Sequence, residues 1–257
     1  ASYLEQNCIL PLNKNKNNAG IRWQVPWGKH MLASWKWTNT ANHESKTDKT
    51  TVLPVVLVRD PYSWMKSMCR NHYGARWHYT KEHCPNLVPN QHDLQLFPYQ
   101  GSNIPVRLDY GGGGGDDSSS SGAGAVNITS YDSLAHLWSE WNRQYWQVDY
   151  PRIMVRYEDV LFYPRELITR ICTCAGGVTA PPHEFTYFVN SAKWGPGHGK
   201  EEQKTSLISA MMKYANVAKR IKGYTKEDLQ LAHEALSEDL MNAFQYNRPL
   251  EQNLLLP

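Results

Sequence analysis

Arg59 and Ser67 are the residues whose types and spacing most clearly indicate chemistry. Arg59 follows the apolar run 53–58, which is typical of a strand in a buried parallel sheet, and Ser67 lies eight residues further on. An arginine donates two hydrogen bonds at once to a phosphate, and open parallel sheets bind ligands at the carboxyl ends of their strands. Ser67 lies roughly 9 Å along the predicted helix 61–72, and its hydroxyl adds a donor if that helix crosses the strand ends. The pattern predicts a phosphate site, with a structural salt bridge for Arg59 and an ordinary helix-surface serine as the alternatives.

Two further stretches add candidate ligand-binding residues. Tyr157 ends the predicted strand 152–157 and is followed by two acidic residues and a helix that starts at Pro164. Residues 191–200 combine glycines at alternate positions, which allow a backbone to approach a ligand, with cationic side chains. The candidates in this loop are Lys193, Gly195, Gly197, His198, Gly199 and Lys200. A core tyrosine and a plain flexible loop are the alternatives.

Together these stretches resemble the sulfotransferases that use PAPS (3'-phosphoadenosine 5'-phosphosulfate), over most of residues 21–246. Arg59 and Ser67 match the family's 3'-phosphate motif in identity and spacing. Tyr157 stands where the family has a tyrosine near the adenine. The loop 191–200 resembles the late basic loop that closes over PAPS, although its form differs from that of the cytosolic members. The resemblance implies an enzyme that takes PAPS as co-substrate and needs no metal.

The resemblance also implies the acid–base residue. Sulfuryl transfer requires a site that aligns an acceptor hydroxyl with the sulfur, removes its proton and stabilises the leaving phosphate. In many members a Lys-x-His element follows the strand before the arginine motif; here Lys29 and His30 follow the predicted strand 21–27 without the intervening residue. His30 is the implied general base, because the unperturbed pKa of histidine is about 6.5, and Lys29 is the cation for the leaving oxygen. A carboxylate base, or an exposed Lys-His pair without a role, is the alternative.

Alternating strands and helices predict an α/β fold, a three-layer parallel sheet with helices on both faces. The resemblance makes this a P-loop NTPase-like sulfotransferase fold. Residues 1–257 are expected to form a single sulfotransferase domain, with a flexible low-complexity insertion at about 111–125 that cannot bury apolar surface. Further predicted helices are 131–146, 164–175, 205–221 and 225–244. Capping boxes are predicted for Thr129 with Asp132 and for Thr225 with Asp228.

The start of the chain lacks one element of the family. There, a strand and a short phosphate loop precede a helix, and the loop and the helix N-terminus hold the 5'-phosphosulfate. The first four residues resemble the opening of that helix, and Ser2 is the candidate for the last hydroxyl of the loop. We therefore expect a fold without its first strand and phosphate loop, and weak or no binding of PAPS by the chain as written.

Composition limits the class of partner. Lys and Arg total 27 against 24 Asp and Glu, so the net charge of +3 gives no electrostatic case for a nucleic acid. No stretch reaches the roughly 18 apolar residues of a membrane span, and no signal peptide is visible. The 5 cysteines exclude complete intrachain pairing. Buried unpaired cysteines are the favoured interpretation, and Cys69 with Cys84 is a candidate bridge in an oxidising compartment.

The acceptor is expected to be a hydroxyl of a carbohydrate. The 10 tryptophans offer aromatic faces for sugars, and the last predicted helix resembles that of carbohydrate-type members. The sequon at Asn127 is compatible with a secretory lumen. We expect a Golgi enzyme, anchored to the membrane only through a segment absent from this chain. A kinase-like phosphotransferase on the related phosphate-loop fold and a non-catalytic nucleotide- or glycan-binding protein are the alternatives.

Overall fold

The computed structural model describes residues 1–11, 20–41, 47–98, 101–110, 127–189 and 206–249. The α-helices are α1 Ser2–Asn7, α2 Pro61–Met68, α3 Gln91–Leu96, α4 Leu134–Gln147, α5 Tyr157–Phe162, α6 Pro164–Cys174, α7 Leu207–Ala215, α8 Val217–Ile221, α9 Lys226–Ala235 and α10 Glu238–Ala243. The strands are β1 Cys8–Ile9, β2 Val55–Val58, β3 Ala75–Arg76, β4 Val106–Tyr110, β5 Asn127–Tyr131, β6 Ile153–Arg156 and β7 Val178–Thr179. Short 3-10 helices span Ala33–Lys36 and Lys49–Thr51.

The chain divides into two compact units. Unit 1 comprises Ala1–Val25, Leu53–Val58 and Pro151–Arg220. Unit 2 comprises Pro26–Val52, Arg59–Tyr150 and Ile221–Pro257. Helices are mixed with small parallel and antiparallel sheets, and the described strands form no closed barrel. The single domain over 1–257 stays a prediction, and the insertion at 111–125 lies outside the described residues.

Unit 1 contains a parallel sheet of two strands. β2 pairs with β6 from Val55 opposite Ile153 to Val58 opposite Arg156, so the two strands end at the same level. Branched side chains favour this extended backbone because their χ1 angles are restricted. The sequence predicted a strand in each segment and a mostly parallel sheet, and these two strands are parallel; their pairing with each other is a finding of the structure.

One face of this sheet packs on helices. The core cluster consists of Val155, Ile168, Ile171 and Phe185, with Tyr3 and Leu4 of α1 packed against it. A disulfide joins Cys8 of β1 to Cys172 of α6, and β1 pairs antiparallel with β7. This disulfide was missed in the sequence, because the two cysteines are 164 residues apart. Gly177 lies beside it, where a Cβ atom would come within 2.8 Å of the Cys172 sulfur.

Unit 2 packs around α4. One face of this helix is apolar and buried, with Leu134, Leu137, Trp138 and Tyr145. The Tyr145 hydroxyl accepts from the Trp27 indole at 3.2 Å and donates to the Met31 carbonyl at 2.9 Å. These hydrogen bonds satisfy the buried polar groups and attach the segment before the first 3-10 helix to α4. Strands β3, β4 and β5 form an antiparallel sheet in that order.

The predicted strand 21–27 is wrong, since the structure has no strand there. Pro26 removes a backbone donor, and Gly28 adopts a left-handed φ of 114° that ends extended structure. Trp27 is fully buried, but it achieves this by packing in unit 2. Trp27 thus became buried without strand pairing, while Trp23 of the same segment is 65% exposed.

Of the two predicted capping boxes, one is displaced by strand pairing and the other forms. Thr129 belongs to β5 and pairs with Leu108 of β4, so the capping box of Thr129 with Asp132 is wrong. Ser133 caps α4 instead, and its side chain accepts from the His136 amide at 3.2 Å. The capping box of Thr225 with Asp228 is confirmed.

The two predicted C-terminal helices are each divided. The helix 205–221 is broken at Asn216, whose ψ of 106° is extended. The helix 225–244 is broken where Leu236 is extended and the Ser237 amide donates to the Ser139 hydroxyl at 3.0 Å. Polar side chains that bond the backbone compete with helix continuation in this way.

Candidate functional site

Arg59 is the first residue after β2 and is half-buried. Asp60 then caps α2, since its carboxylate accepts from the Ser63 amide at 2.8 Å, and Pro61 takes the first helical position. Trp138 of α4 donates its indole N–H to the Arg59 carbonyl at 2.9 Å. The backbone of Arg59 is therefore held by the start of α2 and by α4. Its place between a strand and a helix, predicted from sequence, is confirmed.

Ser67 lies in the last turn of the same helix. Its hydroxyl donates to the Trp64 carbonyl at 2.7 Å, so the donor is used within α2 while the oxygen can still accept. A change of χ1 is needed before Ser67 donates to a ligand. The structure thus brings Arg59 and Ser67 into one helix–turn element, with the serine hydroxyl turned to the backbone.

A basic group on α2 was not singled out in the sequence. Burial, and then the positive charges of Lys222 and Arg70, lower the pKa of Lys66. Like charges this close create a positive potential that favours a bound anion. Lys66 precedes Ser67 in the chain, so this potential lies along the helix of the predicted phosphate motif. Two of the three residues are near in sequence, but Lys222 enters only through the tertiary structure.

Tyr157 begins α5 directly after β6, whereas the sequence predicted it as the last residue of the strand and did not predict this helix. Its ring packs against Tyr214 of α7, with centroids 5.2 Å apart and planes inclined by 62°. Ser2 is the first residue of α1 and is half-buried. Tyr157 and Ser2 both belong to unit 1, and both start a helix.

Lys29 and His30 are exposed in a turn. His30 has a left-handed φ of 60°, and its ring lies 4.5 Å from that of Tyr73, whose φ is 50°. A left-handed non-glycine residue costs about 1–2 kcal/mol, and such residues cluster at functional sites. The strand that was expected to deliver His30 is absent, so a strained turn that contacts Tyr73 holds it instead. The candidates of the basic loop, Lys193, Gly195, Gly197, His198, Gly199 and Lys200, lie outside the described residues.

A buried cluster around His83 was also passed over in the sequence. Its Nδ1 lies 2.8 Å from the Asp93 carboxylate, and its Nε2 lies 2.8 Å from that of Asp228. All three side chains are almost inaccessible to solvent. The sequence carried one signal for it, because Asn90 with Asp93 has the spacing of a capping box, which the structure forms at the start of α3.

No described helix is long and apolar enough to cross a membrane. Among the described residues, no group of three or more His, Cys, Asp or Glu side chains is arranged to hold a metal ion. In comparisons with known proteins, no family model, curated protein or solved structure matches the chain. Function must therefore be argued from the residues.

Proposed function

We propose that this protein is a sulfotransferase that moves a sulfuryl group from PAPS to a hydroxyl, with a carbohydrate as the acceptor. The observation that carries the proposal is the arrangement around α2. Arg59 follows the end of a parallel strand, Asp60 caps the helix, and Lys66 stands in a positive potential near Ser67. Strand ends and positive potential are both favourable to a phosphate. Arg59, Ser67 and Tyr157 are proposed to bind the nucleotide.

The open side of the parallel sheet supports the finer fold proposal, a P-loop NTPase-like sheet lacking its first strand. Among the described residues, β2 pairs with β6 alone. Val55 and Leu57 of β2 are 39% and 53% exposed. Val55 and Leu57 line one face of the sheet, and parallel strands are normally covered on both faces, so apolar side chains at this exposure favour a further element packed over that face. The phosphate loop, with Ser2 as its last hydroxyl, is proposed to belong to that element.

The proposed reaction is a single displacement. The acceptor oxygen attacks the sulfur of PAPS, the bond from sulfur to the 5'-phosphate oxygen breaks, and the products are a sulfate ester and 3',5'-ADP. His30 takes the acceptor proton, and Lys29 stabilises the negative charge that develops on the leaving phosphate. The strained turn at His30 supports this assignment, because strain of this kind persists where the surrounding structure holds a side chain in place.

The two disulfides, Cys8 with Cys172 and Cys69 with Cys84, support a secretory compartment such as the Golgi lumen. Disulfides persist in oxidising environments and are rare in the cytosol. A membrane anchor outside this chain is part of the same proposal. The glycosylation sequon that begins at Asn127 is in keeping with this location.

Calorimetric titration with 3',5'-ADP tests the nucleotide site. The chain as written is compared with a chain extended upstream by the proposed strand and loop, and we expect clear binding by the extended chain alone. Arg59→Ala in the extended chain should weaken binding about 100-fold, because two charge-assisted hydrogen bonds are lost. Arg107→Ala is the matched control, since Arg107 is an exposed arginine of β4 in the same unit.

Transfer of labelled sulfate from PAPS to a mixture of glycans tests the reaction. Activity of the extended chain that disappears in His30→Ala supports the mechanism. Absence of nucleotide binding in both chains, or equal loss in the two arginine variants, would refute the proposed function. Tight binding by the chain as written would instead remove the need for an additional strand and loop.

A further inference from the structure

The two carboxylates that face the ring of His83 favour a proton on each ring nitrogen. Nδ1 and Nε2 each lie 2.8 Å from a carboxylate oxygen, one of Asp93 and one of Asp228. A neutral imidazole has a single N–H, so its other nitrogen would place a lone pair against a carboxylate. The doubly protonated ring donates to both. His83 is 5% exposed and both carboxylates are fully buried, so water cannot replace either hydrogen bond.

His83 joins the loop that is attached to the C-terminal end of α2 with the start of α9, which is attached to the N-terminal end of α2. Its neighbour Cys84 forms the disulfide to Cys69, which caps the C-terminal end of α2. On the other side, Asp228 closes the capping box of α9, and it also accepts from the Leu87 amide at 2.8 Å. The loop around His83 is therefore fastened to the start of α9 by a side chain and by backbone.

The second attachment leads from α9 to the beginning of α2. Tyr224 immediately precedes the N-cap Thr225 of α9, and its hydroxyl donates to the Tyr62 carbonyl at 2.7 Å. The rings of Tyr224 and Tyr62 also meet edge to face at 5.8 Å. Tyr62 is the second residue of α2. Both ends of α2 are thus joined to elements that His83 holds together.

We propose that the protonated Asp93–His83–Asp228 cluster positions α2, the helix that carries Ser67 and follows Arg59, and that loss of the His83 proton releases it. His83 is a positioning residue, because it acts through the Cys84 and Tyr224 contacts and touches no ligand. The positioning of α2 by this cluster does not depend on the proposed function. Its consequence for nucleotide binding rests on that function.

The direction of the pH effect follows from the groups that face the ring. Among the described residues, the charged ones are Asp93 of α3 and Asp228 of α9, while the Asn90 amide nitrogen lies 3.1 Å from Nδ1. Burial lowers the pKa of His83, but the hydrogen bonds and charges of Asp228 and Asp93 outweigh burial and raise it above its ordinary value. The stabilisation is therefore complete below the unfolded pKa and is lost as the pH rises through the folded pKa.

Burial by itself would raise the pKa of Asp228, because it disfavours the charged carboxylate. The hydrogen bonds from His83 and from the Leu87, Thr225 and Val88 amides outweigh burial, so the pKa of Asp228 lies below its ordinary value. Its contribution is present above the unfolded pKa of a carboxyl group and is lost as the pH falls through the folded pKa. The charged cluster is therefore stable at pH values above the folded pKa of Asp228 and below the folded pKa of His83.

Hydrogen–deuterium exchange of the wild-type protein, with its disulfides intact, tests the proposal directly. Exchange of the α2 amides, corrected for the intrinsic effect of pH, should become about tenfold faster for each pH unit above the unfolded pKa of His83, up to the folded pKa. The amides of α6 in unit 1 provide the internal control. The ring nitrogens of His83, followed by NMR in the folded protein, should titrate at the pH where this acceleration of exchange ends.

His83→Gln should remove the pH dependence of α2 exchange and leave it fast throughout. His136→Gln is the matched control, because His136 also lies between two carboxylates, Asp132 at 3.6 Å and Glu140 at 4.0 Å, but its side chain is 37% exposed. The control should behave as the wild type. Wild-type α2 exchange that does not change across the His83 midpoint would refute the proposal, as would NMR showing one unprotonated ring nitrogen at neutral pH.

The consequence for the proposed function has its own measurement. In the extended chain, affinity for 3',5'-ADP should fall as the pH rises through the folded pKa of His83. If α2 exchange follows the His83 titration but no chain binds the nucleotide, the proposed function is wrong and the positioning role stands. If the nucleotide binds with no change at that midpoint, the link from His83 to the phosphate motif is wrong.

Discussion

Replacing Trp138 by phenylalanine tests whether α4 holds the residue that opens the phosphate motif. Trp138 is 1% exposed and donates to the Arg59 carbonyl at 2.9 Å. Phenylalanine keeps an aromatic ring but removes this donor and the outer part of the indole. Loss of the donor leaves the Arg59 carbonyl without this partner, which costs about 1–3 kcal/mol. The cavity left by the smaller ring adds to that cost. We expect the free energy of unfolding to fall by about 3 kcal/mol.

The assay is guanidinium unfolding at neutral pH, followed by circular dichroism. Trp146→Phe is the control, since Trp146 belongs to the same helix but is 43% exposed. It should cost less than about 1 kcal/mol. In the extended chain Trp138→Phe should also weaken nucleotide binding, whereas the control should not. Equal unfolding free energies for the two variants would refute the claim that Trp138 anchors Arg59.

Two further predictions concern unit 1 and the disulfides. The disulfides close loops of very different length, with sequence separations of 164 for Cys8–Cys172 and 15 for Cys69–Cys84. Chain entropy predicts losses of about 5 and 3 kcal/mol when each pair is replaced by serine, measured by guanidinium unfolding; a larger loss for the shorter loop would contradict this account. At Gly177 a Cβ atom would come within 2.9 Å of the Cys8 sulfur and the Ile9 carbonyl oxygen. Gly177→Ala should therefore destabilise by about 1–3 kcal/mol and leave free Cys8 and Cys172 thiols in a thiol assay. Gly176→Ala, with a left-handed φ of 75° and open space around it, should cost about 1 kcal/mol and leave the disulfide intact, and identical thiol content in the two variants would count against the steric argument.

Local patterns in the sequence determined the elements that position Arg59 and Ser67. The apolar run before Arg59 predicts β2, and Asp60 with Pro61 predicts the start of α2, because a cap and a proline act within one turn. The capping box at Thr225 is determined in the same way. These features depend on neighbours a few residues apart, so the sequence alone reveals them.

Where local preferences compete, the tertiary structure decided which backbone structure forms. Trp27 has the surroundings of a strand, but it becomes buried through Tyr145, and no strand forms. Thr129 has the spacing of a cap, but its backbone pairs with β4. Burial can be achieved by packing as well as by pairing, and the distant partner settles which one occurs.

Other contacts of the structure join residues that are far apart in the sequence. Cys8 meets Cys172, and His83 meets Asp228, 145 residues away. The sequence by itself determined Arg59 at a strand end and Ser67 on the helix that follows. Only the tertiary structure placed Lys222 near Lys66 and turned the Ser67 hydroxyl to the backbone. The physical reason is that charge and hydrogen bonding depend on distance in space, whereas caps and strands depend on distance along the chain.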